Sequence, residues 1–128
     1  LIFFEKYFDF LNMCFNDYCN EWKFLKEANK QFKIGIFTIQ KYIKEGHYLG
    51  AHAERIGRGT NHRYFAFMTY LNNVKDGGET VFPNYNISIK PKKGLTLIWP
   101  SDWTHYHYAE KLKAREKYII SGWIELIN

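Results

Sequence analysis

His52 and Glu54 stand two residues apart, and so do His105 and His107. In an extended segment, side chains two apart leave the backbone on the same side, so each pair can aim two donors at one point. Imidazole nitrogens and carboxylate oxygens both bind divalent transition metals, and two histidines with one carboxylate can occupy one face of a coordination sphere and leave the other open to reactants. The second pair follows a strand-like segment ending at Trp99, which folding can bring opposite the first. Alternation does not choose between His105 and His107, because both face the same way. Ten residues after His107, Lys117 opens the apolar run Tyr118-Ile119-Ile120-Ser121-Gly122-Trp123-Ile124. By alternation Lys117 shares a face with Ile119, Ser121 and Trp123. An ammonium on an inward face requires an anion to offset its desolvation, and a ligand carboxylate meets that requirement.

These groups need extended segments to position them, and the chain supplies them after a helical start. Phe15, Tyr18, Cys19, Trp22 and Leu25 recur at helical spacing with Asn16, Asp17, Glu21 and Lys23 between them, which predicts an amphipathic helix in the first quarter. From Ile34 the period changes to two, with Ile34, Ile36 and Thr38 alternating with Gly35, Phe37 and Ile39. The aromatic segment Arg63 to Asn72 is followed by Asp76-Gly77-Gly78, where positive φ is cheap, and a hairpin is expected to turn there. Thr80 to Phe82, Ile87 to Ile89, Leu95 to Trp99 and Tyr118 to Leu126 read as further strands, separated by Pro83-Asn84, Pro91-Lys92-Lys93-Gly94 and Pro100-Ser101-Asp102. Many short strands after one helical segment predict a mainly β sandwich or jelly roll covered by helix on one side.

At 128 residues the chain fits one domain, divided into a helical support over 1–33 and a β core over 34–128. Aromatic residues make up 20% of it, which excludes a disordered segment. No apolar run approaches the roughly 18 residues of a membrane span, and Glu5, Lys6 and Asp9 interrupt the apolar opening Leu1-Ile2-Phe3-Phe4 before it resembles a signal-peptide core. Cys14 and Cys19 lie close together in the expected helix and form no disulfide framework, so a cytoplasmic or other reducing compartment is expected. The net charge of +5 comes from scattered basic residues rather than from one helical face, which argues against nucleic acid as a partner.

Order and spacing together resemble one family over most of the chain, from about Gln40 to Glu125. The run Tyr42, His52-Ala53-Glu54, Arg63, Tyr70-Leu71-Asn72, Gly77-Gly78-Glu79-Thr80-Val81-Phe82, Pro91-Lys92-Lys93-Gly94, His107, Lys117 and Ser121-Gly122-Trp123 is similar to prolyl 4-hydroxylase-like 2-oxoglutarate oxygenases. The resemblance implies a double-stranded β-helix, the cupin-like jelly roll, covered by helices. It implies Fe(II) bound by His52, Glu54 and His107, with 2-oxoglutarate as cosubstrate and ascorbate in support. The ten-residue step to Lys117 favours His107 over His105 as the ligand, and Lys117 would pair with the distal carboxylate of 2-oxoglutarate. Tyr42, Tyr70 and Trp123 would line the cosubstrate pocket. The family usually carries Asp where this chain has Glu54, whose extra methylene adds about 1.5 Å of reach.

The resemblance implies hydroxylation of an unactivated C–H bond, a peptidyl proline being the first expectation, with succinate and carbon dioxide as co-products. A peptide or protein partner follows, met by the loop from Arg55 to Asn61. Two other readings use the same fold: a catalytically silent β-helix module that binds a metal or ligand, and a nucleic-acid oxygenase of the same superfamily. Oligomeric state is not legible in the sequence.

Overall fold

The computed structural model describes residues 2–28, 30–46 and 50–127; Leu1 and the side chains of Ile2 and Phe3, part of the apolar opening, lie outside the description. Helix α1 spans Ile2–Glu21 and a short α2 spans Lys23–Glu27. Seven strands follow: β1 Phe32–Ile43, β2 Arg63–Tyr70, β3 Thr80–Phe82, β4 Ile87–Ile89, β5 Thr96–Pro100, β6 Tyr108–Ala109 and β7 Glu116–Leu126. They form a four-stranded antiparallel sheet in the order β1-β7-β2-β5 and a three-stranded one in the order β4-β3-β6. A single bridge between His52 and His107 extends the smaller sheet. Two sheets of this kind facing each other, with α1 against the outside of the larger, make the expected double-stranded β-helix.

Residues 65–70 of β2 are all buried, because each face of this strand has its own cover. Phe65 and Phe67 face α1, where Leu11, Phe15 and Tyr18 follow one another at helical spacing and pack on Ile120 and Ile124 of β7. The rings interlock edge to face, as in Phe8 against Phe37 at 5.0 Å and Tyr18 against Phe65 at 5.5 Å. Ala66, Met68 and Tyr70 point the other way, into the space between the sheets, and meet Phe82, Trp99 and Ile119. At Gly122 the crossing is tight: a side chain there would lie 2.7 Å from the Ile36 carbonyl and 2.8 Å from the Phe67 ring.

Three expectations need correction. The helix does not run through Trp22, whose extended backbone breaks α1 from α2 and leaves the indole 58% exposed; Leu25 reaches the core from the second segment instead. Strict alternation fails in β1, because a bulge between Ile34 and Phe37 shifts the register and turns Ile36 outward. Asp76-Gly77-Gly78 is not a hairpin turn: β2 pairs with β5 and β7, whereas β3 pairs with β4 and β6. Gly77 and Gly78 do adopt positive φ, at 78° and 75°, but they serve a crossing from one sheet to the other.

Candidate metal centre

His52 and His107 sit opposite each other as a hydrogen-bonded backbone pair, with His52 N donating to His107 O at 3.0 Å and His107 N to His52 O at 2.9 Å. That pairing fixes where both imidazoles start. Each ring is then oriented through Nδ1, which lies 2.9 Å from Gly50 O in His52 and 3.0 Å from His105 O in His107. A carbonyl only accepts, so Nδ1 carries the proton and a neutral ring presents a lone pair at Nε2. Both Nε2 atoms lie 3.2 Å from Glu54 Oε1. Two lone pairs and a carboxylate oxygen therefore converge, an arrangement that requires a proton or a cation among them. The three donor atoms lie within 4.8 Å of one another, and two nitrogens with one oxygen suit iron(II).

Glu54 is held ready for this. Burial pushes its carboxyl upward, but its contacts with His107, His52 and the Trp123 N–H outweigh burial and keep it well below the usual carboxylate range. Its second oxygen, Oε2, accepts the Trp123 indole N–H at 2.9 Å. The Arg63 guanidinium stacks on that indole, 3.7 Å from the ring centroid. Phe82 and Trp99 flank His107 at 5.4 and 5.0 Å between ring centroids, which dries that side of the site.

His105 goes elsewhere. It ends a 3-10 turn, Trp103–His105, where alternation does not apply. Its ring stacks against Tyr85 at 4.7 Å and lines a separate groove of about 880 Å³ between the end of α1 and strands β4 and β5. That groove is larger than the one at the three donors but contains none of them.

The donors open into a cavity of about 360 Å³ that also receives Lys117, Tyr42, Ser121 and Trp123. Lys117 is only 2% exposed. Burial lowers its pKa to about 8, against the opposing pull of Glu79. Its ammonium donates to Gly78 O at 3.1 Å and lies 4.8 Å from the centre of the Tyr42 ring, which stands opposite it in the β1–β7 register. A side chain at Gly78 would meet the Lys117 stem at 3.1 Å, so the second glycine of the doublet makes room for the lysine as well as for the crossing. Tyr70 lies in the core below rather than in the cavity wall, with its phenol hydrogen-bonded to the Thr80 hydroxyl. Sequence reading gave no role to Arg63 or to the Gly78 carbonyl; both act across long sequence separations, and the Gly-Gly doublet alone signalled special geometry.

The rim is braced. Arg55 donates through Nε and Nη2 to Asp102 Oδ1, at 3.1 and 2.6 Å, and Asn84 Nδ2 donates to Thr104 O at 2.9 Å. These contacts tie together the loops after Glu54, β3 and β5. On them Ile56 and Trp103 are 78% and 73% exposed.

Among the described residues no helix is long and apolar enough to cross a membrane. The sequence pattern of the 2OG-Fe(II) oxygenase superfamily matches residues 37–125. Prolyl 4-hydroxylase subunit alpha-1 of Gallus gallus is 33% identical over 73 residues, covering 52% of this chain and 14% of its own length. Prolyl 4-hydroxylase 13 of Arabidopsis thaliana is 26% identical over 125 residues, covering 80% and 45%. The chain thus spans less than half the length of either relative. The viral collagen prolyl hydroxylase vCPH from Paramecium Bursaria Chlorella virus-1, solved as a 2OG complex, superposes with a TM-score of 0.74 at 22% identity over 96% of this chain and 74% of its own. A Trichoplax adhaerens prolyl hydroxylase, solved with a hypoxia inducible factor peptide fragment, gives 0.64 at 21% identity over 92% and 56%. With the pattern running from β1 almost to the end of β7 and enclosing all three donors, the chain belongs to the 2OG-Fe(II) oxygenase superfamily.

Proposed function

We propose that this chain is the catalytic core of an iron(II)- and 2-oxoglutarate-dependent hydroxylase that acts on an unactivated C–H bond of a peptide, a prolyl residue being the preferred target. One observation carries the reading: a two-histidine, one-carboxylate donor set and a buried ammonium share a single cavity. His52, Glu54 and His107 would hold iron(II), which when bound supplies the oxygen chemistry that couples conversion of 2-oxoglutarate to succinate and carbon dioxide with hydroxylation.

The chain's own residues do the rest. Lys117 offers its charge to the distal carboxylate of 2-oxoglutarate, and Tyr42 packs on the ammonium and shields the pair from water. Nδ1 bonds to backbone carbonyls hold both imidazoles in the tautomer that ligates. Phe82, Trp99 and Trp123 exclude water from the donors. The braced loops beside the donors, with Ile56 and Trp103 turned to solvent, support a peptide substrate, because apolar side chains carried on a held backbone meet an extended segment at lower entropic cost.

The test is aerobic incubation with iron(II), ascorbate and 2-oxoglutarate labelled at C1, with and without proline-containing peptides. Labelled carbon dioxide and an equal amount of succinate are expected, with faster release when a peptide is accepted. No consumption by iron-loaded protein under any of these conditions would favour a binding module without turnover.

A further inference from the structure

We propose that Trp123 and Arg63 are positioning residues that hold Glu54 as a one-oxygen ligand and thereby accommodate the extra methylene of glutamate; this rests on the reading of Glu54 as a metal ligand. A carboxylate rotates about its last carbon–carbon bond, and a long flexible one can turn both oxygens toward a cation. Here the two oxygens are divided. Oε1 lies 3.2 Å from both imidazole Nε2 atoms, whereas Oε2 is held at 2.9 Å by the Trp123 indole N–H. The indole is itself fixed on β7, opposite the small Ala66, with the Arg63 guanidinium 3.7 Å from the centre of its ring.

Arg63 closes the arrangement. Its Nη1 donates to the backbone carbonyl of Glu54 at 3.4 Å, so one guanidinium braces the carboxylate's own peptide and the ring that holds the carboxylate. A cation over the ring face also polarises the indole and makes its N–H a stronger donor. Among the described residues Arg63 Nε is buried without a hydrogen-bond partner, as the guanidinium lies over the Trp123 ring.

The experiment is titration with cobalt(II), read by affinity and by the visible absorption band, which follows coordination number. Trp123→Phe keeps a ring for Arg63 but removes the N–H. It should bind cobalt(II) about 10- to 100-fold more weakly and shift the band, as Oε2 becomes free to ligate. In a Glu54→Asp background the shorter side chain withdraws from the indole, and there Trp123→Phe should change affinity by less than about twofold. Equal losses in both backgrounds would assign Trp123 to packing alone and overturn the proposal, as would an unchanged affinity and band in folded Trp123→Phe. The parent protein gives a readout free of folding defects: with 15N label, the Trp123 indole N–H should exchange slowly and shift on zinc(II) addition. Exchange at the rate of an exposed indole overturns the clamp. Undiminished cobalt(II) binding by Glu54→Ala would instead remove the ligand reading beneath it.

Discussion

The two faces of the larger sheet are built from the same strands and have opposite character. Toward α1, β2 and β7 present Phe65, Phe67, Ile120 and Ile124, and the helix answers with Leu11 and a set of interlocked aromatic rings. Toward the smaller sheet, the alternate residues of β7 are Lys117, Ile119, Ser121 and Trp123, and the space between the sheets contains His107 and Glu54. The outer face is filled and nearly dry of polar groups, while the inner face leaves a cavity and buries an ammonium. A strand's period of two lets one sequence meet both demands without compromise. Stability should therefore reside mainly on the outer face and chemistry on the inner one.

The largest effect expected separates these roles inside the cavity. His107→Ala should abolish iron(II) binding in anaerobic titration yet leave a cooperatively folded protein, whereas His105→Ala, altering a ring stacked on Tyr85 outside the cavity, should keep the metal. The opposite pattern would exchange the two histidines. On the outer face, Phe67→Ala removes a fully buried ring from the α1 interface and should cost about 3–5 kcal/mol in urea unfolding. A loss below 1 kcal/mol would mean that α1 contributes little, and the comparison would break.

Lys117 supplies the intermediate case, with a definite sign. Folding lowers its pKa from 10.5 to about 8, so below pH 8 the native protein carries a buried charge that the unfolded chain keeps in water. Between pH 8 and 10.5 the unfolded chain binds more protons, and stability rises with pH. Relative to Lys117→Met, the metal-free parent should gain up to about 3 kcal/mol across that window, measured by denaturant unfolding at each pH. Affinity for 2-oxoglutarate should move the other way, falling above pH 8 as the ammonium is lost. A flat difference between the two proteins would show that Lys117 is not desolvated in solution. The smallest effect tests a polar thread on the outer face, where Tyr7 meets the Thr69 hydroxyl at 2.8 Å and Thr69 meets Thr96 at 2.7 Å. Tyr7→Phe leaves Thr69 bonded to Thr96 and should cost about 1 kcal/mol.

Local patterns in the sequence carried the strands other than β6, the first helix and the spacing of His52, Glu54, His107 and Lys117, because periodicity and side-chain direction are properties of a few adjacent residues. What they did not carry depended on distant partners. Asp76-Gly77-Gly78 has the composition of a hairpin turn, and only pairing with β4 and β6 on one side and with β5 and β7 on the other makes it a crossing. His105 matched His107 by alternation until Trp103–His105 proved to be a 3-10 turn. Trp22 continued the helical stripe, but the backbone turns there on its way to β1. The contact of Trp123 with Glu54, and of Arg63 with Trp123, had no local signal at all.

The lone bridge between His52 and His107 has a mechanical consequence. More than fifty residues separate these positions, and among the described residues two backbone hydrogen bonds form the bridge that joins them. An ion gripped by both imidazoles spans the same gap and closes the same long loop, as a rivet would close a seam between two plates. Loading the site should accordingly stiffen the Gly50–Glu54 segment far more than the strands beneath it, and protease resistance there becomes a gauge of occupancy that needs no substrate.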